Sequence, residues 1–117
     1  MLEITAVLAI VWLHFIGDFV FQTNKMALNK SKSVVWLSYH ALAYSAVFII
    51  ISPMYALVNG VLHWITDYFT SKISSGFWAK GNMRLFFGTI GLDQAIHFTC
   101  LFGTYAAFKH FGMFTLF

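Results

Sequence analysis

The chain has 117 residues, 60% of them hydrophobic and 9% charged, with a formal net charge of +3 at pH 7. A soluble domain carries about 25% charged residues, so the composition argues against a water-exposed globule. Cys100 is the single cysteine, which excludes an intramolecular disulfide. The small positive balance makes no case for a nucleic-acid partner, because the basic residues sit at the ends of apolar runs.

The first apolar run covers residues 4–21. Nothing ahead of it resembles a basic leader or a small-residue cleavage site, so it is expected to be retained. Residues 22–33 form a polar connection with Lys25, Lys30 and Lys32. The second apolar run is 34–51, and Ser52-Pro53 punctuates it because proline breaks a helix and restrains the residue before it. The third run is 54–69. Residues 70–84 form a mixed connection with Lys72, Lys80 and Arg84, and the fourth run is 85–108. A membrane-spanning helix needs about 20 apolar residues. The pattern therefore predicts an all-α polytopic membrane protein, residues 1–117 forming one membrane-embedded domain of four transmembrane helices in two related hairpins.

Six of the seven Lys and Arg residues lie in the first and third connections. Cytoplasmic loops carry such an excess, so those loops are expected in the cytoplasm and both termini outside, in a bacterial inner membrane. That bias alone accounts for the lysines. They also suit an anion-attracting rim near lipid phosphates.

A segment beginning at His14, HFIGDFV, returns at His63 as HWITDYF. Residues four apart share a helix face, so His14 with Asp18, His63 with Asp67, and Asp93 with His97 form three stripes, and Gln22 extends the first by a turn. With alternating helix directions these residues, together with His40 and Gln94, fall in the cytoplasmic half of the bundle. Lipid offers such groups no partner, so they are expected to face the interior. Three buried carboxyls can be protonated, paired with protonated histidines, or bound to cations. Unpaired and ionised, each costs several kcal/mol. Two divalent ions would balance three carboxylates and one hydroxide. Four imidazoles and three carboxylates exceed the four ligands of one zinc site; two bridged ions fit, as does one ion with surrounding Asp–His pairs. His and carboxylate suit Zn best here, or Mn or Fe, and helical bundles build such sites from facing helices.

The combined pattern is His14-x3-Asp18-Phe19-x2-Gln22, Lys25, Lys30, His40, His63-x3-Asp67-x4-Lys72 and Asp93-Gln94-x2-His97. It resembles a group of small bacterial and phage-borne integral membrane proteins grouped as a domain of unknown function. That resemblance implies a small helical membrane domain and no established activity. More distantly, the His-x3-Asp motifs resemble those of membrane-bound metal-dependent hydrolases.

The expected function is a membrane-embedded, metal-dependent hydrolase acting on a lipid or other amphiphilic (phospho)ester at the cytoplasmic leaflet. His14, Asp18, His63, Asp67, Asp93 and His97 are the expected ligands of one or two divalent ions. A bound metal lowers the pKa of a water to about 7 and polarises the scissile group. His40 is a further ligand or a general acid/base, Gln22 and Gln94 orient water or substrate, and Lys25, Lys30 and Lys72 contact phosphate. Membrane lipids are the expected partners, with room for a homo-oligomer. Two other readings stay open: a proton-coupled or metal-ion transporter using Asp–His relays, and a small phage-type helper or pore-forming protein whose polar cluster fixes assembly.

Overall fold

The computed structural model describes residues 3–112 and Phe114. Among these residues the fold is all-α, with no strand. Helix α1 spans Ile4–Phe15 and runs into a π-helical turn at Ile16–Val20. A short α2 follows at Asn24–Asn29, then α3 at Val34–Val47 with a closing 3-10 turn at Phe48–Ile50. Two long helices complete the chain, α4 at Pro53–Ala79 and α5 at Met83–His110.

Local chemistry sets these boundaries. Ser52 caps α4, its hydroxyl accepting from the Tyr55 N–H at 3.4 Å, and Pro53 takes the first helical position, where its missing N–H is no loss. Gly81 stops α4: its φ of +72° is left-handed, Asn82 N–H bonds Phe77 O at 2.9 Å and Gly81 N–H bonds Trp78 O at 3.0 Å, which is a Schellman closure. Asn82 then caps α5 through Leu85 N–H at 3.1 Å.

Two connections differ from the sequence expectation. Residues 22–33 hold α2, started by Thr23, whose hydroxyl accepts from Met26 N–H at 3.2 Å. Residues 70–84 are not a loop, since α4 continues to Ala79 and only Lys80–Asn82 turn. Nothing between Thr70 and Ala79 forces a stop: the segment has no proline, and the first residue with positive φ is Gly81. The expected four spans are also narrowed. Among the described residues α5 alone is long and apolar enough to cross a membrane by length and composition. The apolar segments Ile4–Val20 and Val34–Ile50 are shorter, and α4 has the length but carries Asn59, His63, Asp67 and a run of Ser and Thr.

The interior is divided end to end. One half is an apolar cluster of Ile10, Val47, Phe48, Tyr55, Leu101 and Phe108. The other half buries His14, Asp18, His40, His63, Asp67 and His97. Large apolar side chains such as Leu8, Trp12, Leu42, Leu57, Val61 and Phe87 lie on the outside. Small residues let the helices close on one another: a Cβ at Gly17 would meet Val47 Cγ2 at 3.0 Å, and one at Gly60 would meet Ser45 Cβ at 2.7 Å. Ser45 is held there by donating its hydroxyl to Ala56 O at 2.6 Å. Gly60→Val should therefore push α3 off α4 and destabilise the fold by about 1–3 kcal/mol, the usual cost of overpacking. Thermal unfolding followed by far-UV circular dichroism measures it; an unchanged midpoint would contradict the close approach.

Candidate metal centre

Asp67 lies at the middle of the polar half. It is on α4, one turn beyond His63, and its Oδ2 is 3.3 Å from His63 Nε2 and 3.3 Å from His40 Nε2 on α3. Its Oδ1 is 3.1 Å from His97 Nε2 on α5. Lys30, the C-terminal cap of α2, donates Nζ–H to Oδ2 at 3.3 Å. Asp18 answers from the other side, its Oδ1 3.0 Å from His40 Nε2 and 3.6 Å from His63 Nε2. The π turn carries it there, closed by Phe21 N–H bonding Ile16 O at 2.9 Å, five residues back.

His40 and His63 face each other through their Nε2 atoms at 3.0 Å. Neither Nδ1 has a hydrogen-bond partner among the described residues. Two imidazole nitrogens and two carboxylate oxygens thus converge, with ligand atoms all within 4.8 Å of one another. A tetrahedral ion with bonds near 2.05 Å has ligand–ligand edges of about 3.3 Å. The five spacings that involve a histidine, from 3.0 Å for His40–His63 to 3.6 Å for His63–Asp18, bracket that value. Asp18, Asp93 and His97 form a second group that meets the same limit, with Asp18 common to both. His97 Nε2 lies 3.1 Å from Asp93 Oδ2. The buried Asp–His cluster can hold a metal ion, and its shared carboxylate suits a bridge between two. Among the described residues Lys30, on Asp67, is the one Lys or Arg within salt-bridge distance of any of these three carboxylates, so their charge calls for further positive charge or protons.

His14, expected as a ligand, stands beside this set. Gln94 Nε2 donates to Asp18 Oδ2 at 3.0 Å and to Asp93 Oδ2 at 3.2 Å, so its Oε1 accepts from His14 Nε2 at 2.7 Å. The reverse carboxamide orientation would face Oε1 with two carboxylates. His14 Nδ1 then accepts from the Tyr44 hydroxyl at 2.9 Å. Both ring nitrogens are occupied, and His40 takes the inner position instead. The sequence repeat is therefore not a structural one: His63 lies in a regular helix, whereas the π turn separates His14 from Asp18, 3.6 Å apart. Gln94 joins His14, Asp18 and Asp93 through its carboxamide.

Tyr44 and Thr70 were not singled out in the sequence. Tyr44 stacks on His63, with centroids 3.8 Å apart, and His63 stacks on His97 at 4.1 Å, which fixes the ring planes. Thr70 donates its hydroxyl to Asp93 Oδ1. The signal for both was helical spacing, Tyr44 four residues after His40 and Thr70 three after Asp67.

Above the cluster lies a cavity of about 490 Å³. Asp18, Asp67, Asp93 and Gln94 form its floor, and Gln22 lines its wall. Among the lysines, Lys30 and Lys32 line it. Lys72 does not: its Nζ donates to Ser31 O at 3.1 Å and lies 4.7 Å from the Tyr68 ring centroid, which ties the α2–α3 loop to α4. Lys25 is exposed on α2, away from the cavity lining.

Fold and site together define an all-helical protein, among the described residues, whose polar interior is an Asp–His cluster that could hold a metal ion beneath a cavity. The chain belongs to the family described as "Protein of unknown function (DUF3307)", whose model matches residues 6–114. No curated protein and no solved structure matches the chain, so the hydrolase resemblance rests on the His-x3-Asp motifs alone.

Tyr44→Phe keeps the ring stacked on His63 and removes one hydroxyl. It should leave His14 Nδ1 unpaired, cost about 1–3 kcal/mol of stability, and lower metal affinity about 10–100-fold, as losses behind a ligand set do. Competition against a chromophoric chelator gives the affinity. An unaltered value would mean that the Tyr44–His14–Gln94 chain does not orient the cluster.

Proposed function

We propose that this chain is a membrane-embedded, metal-dependent hydrolase whose substrate is a lipid or other amphiphilic (phospho)ester. The observation that carries the reading is the position of the cluster at the floor of an open cavity: Asp18, Asp67 and Asp93 both surround the cation-binding position and line the space above it. Structural metal sites are closed by four protein ligands, whereas catalytic ones keep a position free; the Asp18, Asp93 and His97 group offers three ligand atoms, so an ion there would keep a fourth position, and Asp18 and Asp93 line the cavity.

His40, His63, Asp18 and Asp67 would hold one ion, and His97 and Asp93, with Asp18 shared, a second. Zn suits this mixed donor set, with Mn and Fe as alternatives. When bound, the metal supplies Lewis acidity and a nucleophilic water at neutral pH. Gln94 orients the carboxylates of Asp18 and Asp93. His14, held by Tyr44 and Gln94, keeps that carboxamide in one orientation. Lys30 sits against Asp67 at the cavity wall, where it attracts an anionic group.

The membrane part of the proposal is that α1 with its π turn, α3, α4 and α5 all cross, with the α2 and Lys80–Asn82 connections in the cytoplasm and both termini outside, in a bacterial inner membrane. Support comes from the distribution of polarity. His, Asp and Asn are buried while Leu, Ile, Val and Phe cover the outside, the arrangement a hydrocarbon solvent requires. A transport path is not favoured, because Ile10, Phe48, Tyr55 and Leu101 fill the half of the bundle beyond the cluster.

Elemental mass spectrometry on the purified protein tests the reading, beside Asp67→Asn of verified helicity. The parent should carry about one or two equivalents of a divalent metal, and the variant should lose them together with at least about 100-fold in turnover of a short-chain lipid phosphoester, a loss at or beyond the outer-shell range. A metal-free parent after incubation with Zn, Mn or Fe would sink the proposal.

A further inference from the structure

The number of ions the cluster can hold is limited by charge, and Lys30 enters that balance. Its Nζ donates to Asp67 Oδ2 at 3.3 Å, and 20% of its side chain is exposed. Other lysines are engaged elsewhere: Lys72 donates to Ser31 O, and Lys109 pairs with Glu3. Neutral imidazole is the metal-binding form of histidine. The carboxylates of Asp18, Asp67 and Asp93, the Lys30 ammonium and one divalent ion then cancel. A second divalent ion leaves surplus positive charge, which a site shielded from water holds only with anions to offset it. Two ions and a single hydroxide balance the carboxylates only when Lys30 is left out.

Hydrogen bonding selects the group that takes the first ion. His40 and His63 turn their Nε2 atoms to each other at 3.0 Å, beside Asp18 Oδ1 and Asp67 Oδ2. Both rings are buried, and neither Nδ1 has a partner among the described residues. No donor at Nδ1 therefore holds a proton on Nε2, and both Nε2 lone pairs are free to face an ion. The three-ligand group is furnished differently. Gln94 Nε2 donates to Asp18 Oδ2 at 3.0 Å and to Asp93 Oδ2 at 3.2 Å, and His97 Nε2 lies 3.1 Å from both Asp93 Oδ2 and Asp67 Oδ1. Those N–H groups already satisfy the oxygens a second ion needs, so it must displace them as well as bring surplus charge.

We propose that Lys30 sets the metal count of the cluster: with its ammonium on Asp67 the resting centre holds one divalent ion, in the Asp18, His40, His63 and Asp67 group, and the Asp18, Asp93 and His97 group fills only together with an anion. The cavity gives that anion its approach, since Asp18, Asp93 and Lys30 all line it. The proposal rests on the metal reading and deepens it. The open three-ligand position of the proposed hydrolase is then assembled by the negative charge of its substrate and is not permanently loaded.

Equilibrium dialysis of the full chain in an uncharged detergent against excess Mn, followed by elemental mass spectrometry, counts the ions. The parent should hold about one equivalent without added anion and about two in inorganic phosphate, as charge balance requires. Lys30→Gln should hold about two without phosphate, and Lys30→Arg, which keeps the charge, about one. Far-UV circular dichroism verifies parental helicity in both variants; the phosphate comparison on the parent needs neither. About two equivalents in the phosphate-free parent or in Lys30→Arg, or one or fewer in Lys30→Gln, would overturn the role of Lys30 and leave the metal reading intact. A parental count that phosphate leaves unchanged would overturn the coupling to an anion. A parent without metal in either condition overturns the metal reading and this proposal with it, so the two failures are told apart by the parent alone.

Discussion

One carboxylate ties the molecule together. Asp67 reaches His40 on α3, His63 on its own helix, His97 on α5 and Lys30 at the end of α2. Asp18 does the same from the π turn, reaching His40 on α3 and Gln94 on α5. A carboxylate inside a bundle is tolerated only when its lone pairs are all engaged, so each helix is drawn to the depth and rotation at which its histidine or lysine meets one of these two groups. The need to satisfy Asp18 and Asp67 therefore sets the register of the whole bundle.

The other half of the interior obeys a different constraint. Ile10, Val47, Phe48, Leu101 and Phe108 pack without polar demands, and Tyr55 turns its hydroxyl to Leu101 O at 2.7 Å. Tyr44 is the seam between the halves. Its ring belongs to the apolar cluster and stacks on His63, while its hydroxyl holds His14. Apolar packing thus supports the imidazole planes from behind and leaves their other edges to the carboxylates.

The same helices that form the cluster also form the space above it. Because α4 carries on past Asp67 as a helix, its serines and threonines rise in order from the floor, and Ser31 and Lys72 bind the α2–α3 loop against them. A loop at residues 70–84 would have left the aspartates exposed at a flat surface. As a helix, the segment lines one cavity together with Asp18, Asp67 and Asp93, to which it brings Ser71, Ser74, Ser75 and Trp78.

Much of this was legible in the sequence. The helical class follows from long apolar runs broken by the polar connections and by Ser52-Pro53, and the set of buried polar residues follows from the cost of placing His and Asp in apolar segments with four-residue spacing. Local spacing stops there. It could not show that α4 passes through Thr70 to Ala79, because the hydroxyls that mark a loop on paper meet partners across the bundle, Thr70 on Asp93 and Ser75 on Ser31. Nor could it rank the histidines. His14 and His63 head the same motif, yet a π turn runs through Asp18 at Ile16–Val20, and it is His40 that joins Asp18, His63 and Asp67 in the group that could hold a metal ion. Lys30, Lys72 and Lys25 are equivalent as charges in a connection, and only the path of α2 decided that Lys30 meets Asp67 while Lys72 meets Ser31. The sequence by itself determined which residues must be buried together, because burial of charge is a property of composition along a helix; tertiary structure alone decided which atoms meet, because that depends on helix rotation and depth, quantities of about one ångström that no spacing rule resolves.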